Sequence, residues 1–242
     1  ENLPAWFSKS LAVVPESKTI DVGGVAIHSL RWGTDTSKPG VIFVHGNGAH
    51  AHWWSFIAPF FLDHYRAIAI DLAGAGDSGA SNGYTPEAFA AQINAVADDA
   101  GFGADTIIVG HSFGGYITLK TGLLYSQRLG GIVLVDSAVR PPDFQWERDP
   151  KSSPLKRKRI YPDFESALAR FRLMPPQGCD NAYILDYIGR HSIKQVDDGW
   201  TWKFDDTMFN KFEFGTDLHK DLARLQCRVG VIYGEDSYLF TQ

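Results

Sequence analysis

This sequence has few cysteines, and it lacks the long apolar runs and the basic bias that mark several classes of protein. Cys179 and Cys227 are its only cysteines, and two isolated cysteines form neither a disulfide framework nor a CxxC pair. We therefore expect a reducing compartment, the cytoplasm. No stretch approaches the roughly 20 consecutive apolar residues of a transmembrane helix, so we expect no membrane span.

The sequence also has fewer positively than negatively charged residues. The chain carries 23 Lys and Arg against 28 Asp and Glu, a net charge of −5, so it lacks the basic footprint of a nucleic-acid-binding protein. The one dense basic run, Lys156–Arg159, is typical of a solvated helix face or loop. Neither HExxH nor GxxxxGK[ST] occurs. We expect no metal, no cofactor and no nucleic-acid partner, and a small-molecule substrate instead.

What the sequence does contain is a regular alternation of short apolar runs and helical stretches. Continuous Val and Ile runs such as Val41–Val44 are typical of strands buried on both faces. Strands that alternate with helices predict an α/β fold, a mostly parallel sheet with helices on both faces. The predicted strands are Thr19–Val22, Val25–Trp32, Val41–Val44, Ala67–Ile70, Thr106–Val109, Ile132–Val135 and Val229–Tyr233, and the predicted helices are His52–Phe61, Pro86–Ala100 and Gly115–Ser126.

The alternation stops at Arg140 and resumes at Val229. Between residues 140 and 216 the sequence is rich in aromatic residues, proline and charge, with predicted helices at Phe164–Arg172 and Asn181–Arg190 and no predicted strand. We therefore predict three parts: residues 1–139 as the first part of the α/β core, 140–216 as a helical cap, and 217–242 as the second part of the core.

One pentapeptide points to a specific chemistry. Gly110-His111-Ser112-Phe113-Gly114 matches G-x-S-x-G, with a predicted strand before it and a predicted helix after it, which is the context that this motif requires. The serine of such an elbow has a strained backbone that costs about 1–3 kcal/mol. The pattern predicts Ser112 as a nucleophile; the alternative is a glycine-rich turn with an incidental serine.

Together with two further segments, this motif resembles the α/β-hydrolase family of serine hydrolases. The matching order along the chain is a strand with His45-Gly46, a strand with Asp71 and the loop Gly74–Gly79, and then a strand with Gly110–Gly115. The resemblance covers nearly the whole chain. It implies an α/β core with an inserted cap and a serine nucleophile.

The resemblance also implies an oxyanion hole, the pair of donors that stabilises the negatively charged oxygen of the transition state. The two donors would be the backbone N–H groups of Phe113 and Asn47. Loss of one such donor typically costs about 10²–10³ in rate. The resemblance further implies that His45 braces the oxyanion loop and transfers no proton.

The loop Gly74–Gly79 fits a second pattern, G-x-G-x-x-G after a strand. This pattern would indicate a dinucleotide site only if a helix followed it directly. Residues 80–86 read as a loop instead, so we reject a nucleotide cofactor.

A serine nucleophile needs a base, and the base needs an acid that holds its tautomer. In this fold the chain order is Ser, then Asp or Glu, then His. Asp236 follows the strand Val229–Tyr233 and is the predicted acid, and Glu235 is a weaker candidate. Asp136, directly after Ile132–Val135, is the alternative acid. Asp236 could also cap a turn and have no role in catalysis.

The catalytic histidine is not present in the 242 residues at its expected place. The chain contains eight histidines, and none follows Asp236. A further strand, a helix and their loops need roughly 25 residues, whereas six residues follow Asp236. We therefore expect the C-terminal strand and helix to be missing, which leaves Val229–Tyr233 as an unpaired edge. His191 and His219 are the alternative bases.

The predicted function is hydrolysis of a carboxylic ester or related acyl bond of a small, apolar substrate. Aromatic residues in the predicted cap are consistent with such a substrate, although we expect most of them to pack the cap onto the core. Ser112 in place of an aspartate argues against epoxide hydrolases and haloalkane dehalogenases of this fold. Lactonase, thioesterase, C–C bond hydrolase and perhydrolase activities stay open, as do a ligand-binding or receptor protein and an inactive relative. The aromatic residues are Trp146, Phe171, Trp200 and Trp202.

Overall fold

A computed structural model describes residues 3–139, 157–174, 176–212, 218–237 and 239–240. The first part of the predicted cap, including Trp146 and Lys156, lies outside the described residues. Within the described ranges, no helix is both long enough and apolar enough to cross a lipid bilayer.

Nine strands are described, and seven of them form one sheet. The sheet has the order β1-β2-β4-β3-β5-β6-β9 once the strands are numbered along the chain. The five strands from β4 to β9 in this order run parallel, and β1 and β2 join them by antiparallel pairing. The predicted mostly parallel sheet is confirmed. The strands are β1 (Glu16–Val22), β2 (Val25–Trp32), β3 (Gly40–Val44), β4 (Arg66–Ile70), β5 (Ile107–His111), β6 (Gly131–Val135), β7 (Ile193–Val196), β8 (Gly199–Trp202) and β9 (Arg228–Ile232).

The helices lie close to their predicted positions, with three exceptions. The predicted helix His52–Phe61 consists of two 3-10 turns, Ala51–Trp54 and Ala58–Phe61, because Pro59 has no N–H for a continuous helix. Helices α1 and α6 were not predicted, because each has only seven residues, too few to show a helical period in the sequence. The α-helices are α1 (Ala5–Leu11), α2 (Pro86–Asp99), α3 (Phe113–Tyr125), α4 (Phe164–Leu168), α5 (Ala182–His191) and α6 (Leu218–Arg224).

The centre of the sheet is buried on both faces, as strand β3 shows. All five residues of β3 are buried. Its side chains alternate between the faces: Val41 and Phe43 belong to one apolar cluster, and Ile42 and Val44 belong to another. Helices α2 and α3 cover the second cluster. The rigid sheet therefore fixes the positions of the loops that leave its carboxyl end.

The described residues between 157 and 212, here called the cap segment, contain helices α4 and α5 and a β-hairpin. Strands β7 and β8 pair antiparallel, Ile193 opposite Trp202. The sequence predicts no buried strand between residues 140 and 216, and this hairpin, which was not predicted, is only partly buried. The turn Asp197-Asp198-Gly199 between the strands is an Asp-Gly hairpin signal that could have revealed them. The three-part division of the chain stays a prediction.

Strand β9 lies at one edge of the sheet and is exposed along its whole length. Val231 and Ile232 are 52% and 58% exposed, although both are apolar. In the described part of the chain only β6 pairs with β9. The exposed apolar edge that the sequence predicts at this strand is therefore present in the structure.

Candidate active site

Ser112 lies in the sharp turn between strand β5 and helix α3. Its backbone has φ 52° and ψ −119°, a conformation that costs a non-glycine residue about 1–3 kcal/mol. The Ser112 N–H donates to the carbonyl oxygen of Val135 on the neighbouring strand at 2.9 Å. This bond anchors the turn to the sheet, so the strained conformation is held by its surroundings.

Two glycines of the pentapeptide are required because the chain crosses itself closely there. A Cβ atom on Gly110 would lie 2.7 Å from the carbonyl carbon of Gly114, and a Cβ atom on Gly114 would lie 2.5 Å from the carbonyl oxygen of Val44. Real Cβ atoms do not approach backbone this closely. The G-x-S-x-G spacing therefore reflects the packing of α3 against the ends of β3 and β5.

The two predicted oxyanion donors belong to two segments that meet at Ser112. Phe113 is the first residue of α3, so its N–H has no acceptor within the helix. Asn47 lies in the turn that follows β3. The loop containing Asn47 comes close to the nucleophile, because a Cβ atom on Gly46 would lie 3.3 Å from Ser112 Cβ. The structure therefore brings these predicted residues together.

A small cleft opens beside the oxyanion loop. Its lining is mostly apolar, and Phe204 and Met208 contribute one wall from the cap segment. Sequence analysis missed both residues. The aromatic residues that it proposed lie elsewhere: Trp202 packs near Phe171, and Trp200 packs edge-on against Phe164. The remaining lining residues are His45, Gly46, Asn47, Gly48, Leu72, Ala73, Gly74, Ala75 and Phe113.

His45 uses both ring nitrogens to hold the oxyanion loop. Its Nδ1 atom bonds to the carbonyl oxygen of Gly46 at 2.8 Å, and its Nε2 atom accepts the N–H of Leu72 at 3.1 Å. The tautomer is therefore fixed with the proton on Nδ1. Burial lowers the pKa of His45. A neutral ring with both nitrogens engaged is a brace and not a base for Ser112.

Asp71 is the second brace, and sequence analysis assigned it no role. Its carboxylate accepts the N–H of Ala51 at 2.6 Å, His28 Nδ1 at 2.7 Å and the N–H of Asp77 at 3.0 Å. Burial alone would raise the pKa of Asp71, but these hydrogen bonds, led by that of His28, lower it to about 2. Asp71 therefore joins the oxyanion loop, strand β2 and the loop after β4.

The side chains of His28, Asp71 and Asp77 form a group of potential metal ligands. One ligand atom each of His28, Asp71 and Asp77 lies within 4.8 Å of the others. However, His28 and Asp71 are bonded to each other, and Asp77 pairs with Lys203 at 2.7 Å. Hydrogen bonds and an ion pair thus already use these atoms, and the arrangement does not fit a bound cation.

The loop Gly74–Gly79 has no free amides for a phosphate group. The N–H of Gly74 donates to Gly79 O, that of Gly76 to Lys203 O, and that of Gly79 to Ala26 O, each at 2.8 Å. A phosphate cradle needs several such N–H groups pointing at the ligand. The geometry thus gives a physical reason why this G-x-G-x-x-G segment is not a dinucleotide site.

The two predicted acids lie near each other at the carboxyl ends of β6 and β9. Asp136 has a positive φ of 46°, and its Oδ1 atom accepts the N–H of Gly234 at 3.4 Å. Asp236 lies two residues beyond Gly234 in an exposed turn with Glu235. Its carboxylate makes no hydrogen bond to any other described residue, so it is open to an incoming donor.

No described histidine has a ring nitrogen within hydrogen-bond distance of Ser112 Oγ. His191, one of the two alternative bases, bonds through Nδ1 to the carbonyl oxygen of Tyr187 at 2.8 Å and stacks on His52 with ring centroids 4.0 Å apart. His219 lies on α6, which packs against α3. The structure therefore does not bring either alternative base to the nucleophile.

Known proteins resemble this chain in sequence and in fold. The sequence profile of the alpha/beta hydrolase family matches residues 41–242. The esterase Rv0045c of Mycobacterium tuberculosis is 27% identical over 235 residues, which are 94% of this chain and 75% of that protein. The 2-hydroxy-6-oxo-6-(2'-aminophenyl)hexa-2,4-dienoic acid hydrolase of Metapseudomonas resinovorans is 32% identical over 123 residues, 49% of this chain and 41% of that protein.

A solved structure shows the same fold. The thioesterase domain from the curacin biosynthetic pathway superposes with a TM-score of 0.73 at 23% sequence identity. The superposition covers 93% of this chain and 85% of that one.

Proposed function

This chain belongs to the alpha/beta hydrolase family, and from that premise we propose that it hydrolyses the acyl bond of a small, apolar carboxylic ester with Ser112 as nucleophile. The observation that carries the proposal is the Ser112 backbone, held at φ 52° and ψ −119° between a strand and a helix. Strained residues of this kind cluster at active sites. The names of the relatives, an esterase and a hydrolase, support the same reaction class.

In the proposed reaction, Ser112 Oγ attacks the carbonyl carbon of the ester. The carbonyl oxygen becomes an oxyanion and accepts the N–H groups of Phe113 and Asn47. Collapse of this intermediate breaks the bond to the alcohol and leaves an acyl group on Ser112. Water then attacks the acyl group, and the same two N–H groups stabilise the second oxyanion before the acid is released.

The proton of Ser112 needs an acceptor throughout this cycle. In the family the acceptor is a histidine that follows the acid in chain order, and none of the eight histidines in this sequence follows Asp236. Free imidazole is a small base that can act in place of such a side chain. We therefore propose that Ser112 in the 242-residue chain reacts slowly by itself and faster when imidazole is added.

We propose Asp236 as the acid of this site, with Asp136 as the alternative. The support for Asp236 is its open carboxylate at the carboxyl end of the sheet. The carboxylate of Asp136 already accepts the N–H of Gly234, which leaves it less available to an imidazole. An acid in this role fixes the tautomer of the base and stabilises the imidazolium ion.

The lining of the cleft favours a substrate with an apolar acyl or alcohol group. Apolar side chains from the core and the cap segment enclose it, among them Leu72, Phe204 and Met208. Burial of each CH₂ group in such a lining contributes about 0.8 kcal/mol. We propose that hydrophobic esters react more readily than charged ones.

Steady-state hydrolysis of an ester panel tests this function. The wild-type chain is compared with Ser112→Ala at increasing imidazole, and the uncatalysed rate at each concentration is subtracted. The matched control is Ser81→Ala, which removes the hydroxyl of a loop serine that donates to Gly83 O. We expect imidazole-stimulated turnover in the wild type and in Ser81→Ala and none in Ser112→Ala. Equal turnover in Ser112→Ala would overturn the assignment.

A further inference from the structure

A second Ser–His–Asp constellation lies outside the cleft of Ser112, with Ser17 and His28 on the β1–β2 hairpin and Asp71 directly after β4. Ser17 Oγ lies 2.9 Å from His28 Nε2, and His28 Nδ1 lies 2.7 Å from Asp71 Oδ2. Asp71 and His28 are 1% and 5% exposed, whereas Ser17 is exposed. The three groups thus form a chain from a buried carboxylate to a hydroxyl at the surface.

The pairing of the strands explains why these residues meet. In the register of β1 and β2, Thr19 lies opposite His28, and Ser17 is the diagonal neighbour on the same face because it is two residues from Thr19. The backbone N–H of Asp71 donates to the carbonyl oxygen of His28 at 2.9 Å, which fixes the carboxylate next to the ring. Backbone hydrogen bonds therefore hold all three positions.

The positions of the protons follow from the partners. Asp71 also accepts two backbone N–H groups, and its pKa is about 2, so it is a carboxylate that can only accept. His28 Nδ1 must then carry the hydrogen of their bond, and Nε2 is the ring nitrogen that faces Ser17 Oγ. In the tautomer whose single ring hydrogen is on Nδ1, Nε2 accepts the hydroxyl hydrogen of Ser17. This is the arrangement in which an imidazole accepts the proton of an attacking serine.

We propose that Ser17 is a second acylation site that reacts with activated acyl donors such as aryl esters. Ser17 Oγ attacks the ester carbonyl carbon and forms a new C–O bond, and the bond from that carbon to the aryl oxygen breaks. The hydroxyl proton passes to His28 Nε2 and from there to the phenolate or to water. The products are an O-acyl Ser17 and a phenol, and no oxidant or further reactant is needed.

The surroundings of Ser17 limit the reaction to one turnover. Ser17 lies within the extended strand β1, away from the start of helix α3 where the proposed oxyanion donors of Ser112 lie. Each such donor contributes about 10²–10³ in rate. Ser17 is therefore acylated by general-base assistance alone, and its acyl group persists long enough to be detected.

The chain offers a matched control for this reactivity. Ser37 is also exposed, and its hydroxyl donates directly to the Asp35 carboxylate at 2.6 Å. Its proton therefore goes to a much weaker base than an imidazole. General-base catalysis by a positioned side chain is typically worth about 10²–10⁴ in rate, so Ser17 should react at least about tenfold faster than Ser37.

The experiment uses the 242-residue chain with Ser112→Ala, so that the nucleophile proposed above cannot react. The protein is treated with p-nitrophenyl acetate, quenched at intervals and digested, and acetylation of each serine is followed by peptide mass mapping. We expect acetyl-Ser17 to form at least about tenfold faster than acetyl-Ser37, and to form more slowly in D₂O because a proton moves in the rate-limiting step. Ser17→Ala should abolish this product and leave the formation of acetyl-Ser37 unchanged.

Equal rates at Ser17 and Ser37, or a Ser17 rate that D₂O does not change, would overturn the proposal. His28→Gln gives a second check where the variant keeps a cooperative unfolding transition, and it should reduce Ser17 acetylation to the level of Ser37. The outcome is independent of the function proposed for Ser112. Failure of that function appears as catalytic turnover surviving in Ser112→Ala, whereas failure at Ser17 appears only in the peptide map.

Discussion

The Nε2 atom of His50 lies 2.8 Å from the Oγ atom of Ser192, and this contact ties the loop after Asn47 to the end of helix α5 in the cap segment. Ser192 Oγ donates its own hydrogen to the carbonyl oxygen of Ile188 at 2.8 Å, so His50 must be the donor in their contact. Its Nδ1 atom then holds a lone pair, which is buried and has no hydrogen-bond partner among the described residues. A neutral imidazole is thus part of the junction.

This junction makes the stability of the fold depend on pH. Burial, the largest cause, lowers the pKa of His50 to about 3, although the charge of Asp71 opposes the shift, and burial together with His191 lowers the pKa of His52 to about 3. In the unfolded chain a histidine has a pKa of about 6.5. Between these values the unfolded state binds more protons than the folded state, so the free energy of unfolding falls as pH drops from about 6.5 towards 3.

We predict that His50→Asn weakens this pH dependence. The asparagine amide can still donate to Ser192 but does not titrate. Thermal unfolding midpoints measured from pH 7 to pH 4 should fall less steeply in the variant than in the wild type. The control is His64→Asn, which alters an exposed histidine. Its unfolding midpoints should fall with pH as steeply as those of the wild type. Parallel curves for the wild type and His50→Asn would contradict the assignment of a buried neutral ring.

The crossing of α3 over β3 gives a second prediction. We expect Gly114→Ala to lower the free energy of unfolding by about 1–3 kcal/mol, because the new Cβ atom would lie 2.5 Å from the carbonyl oxygen of Val44. It should also slow any reaction of Ser112, since the elbow has to move. Urea denaturation measures the first effect. The matched change Gly83→Ala, at a glycine with nothing within 4 Å of its Cβ position, should cost far less; equal costs would show that the crossing is not tightly packed.

The two acids at the ends of β6 and β9 give a third prediction. Asp236→Asn should reduce kcat/KM for ester hydrolysis far more than Asp136→Asn does, since loss of the acid of a triad can cost about 10⁴ in rate. Both variants are compared under conditions in which the wild type turns over, with melting temperatures recorded to confirm the fold. A larger loss in Asp136→Asn would identify Asp136, at the end of β6, as the acid.

Much of the sheet could be predicted because buried parallel strands read as continuous apolar runs. Strand β3 was expected at Val41–Val44 and is observed at Gly40–Val44. The elbow could be predicted because its glycines and serine are adjacent in the chain. The hairpin of β7 and β8 was missed because its strands have only four residues each, too short to show a period against the aromatic residues around them.

Apart from His45, the braces of the site could not be predicted, because they join residues that are distant in sequence. His28 and Asp71 are 43 positions apart, and only the pairing of β2 with β4 places them side by side. His50 and Ser192 are 142 positions apart, in two segments whose packing no local pattern encodes. A single sequence shows which residue types are present, and the fold decides which of them become partners.

The most direct test of the central claim is covalent labelling with a fluorophosphonate, followed by peptide mapping. A nucleophilic serine oxygen displaces fluoride from the phosphorus atom of the reagent, so the modified peptide identifies the nucleophile. We predict that the phosphonyl group appears on Ser112, slowly in the 242-residue chain alone and faster with added imidazole, and that Ser112→Ala removes this labelled peptide. An unlabelled Ser112 in the presence of imidazole, or total labelling that is the same in Ser112→Ala, would contradict the account.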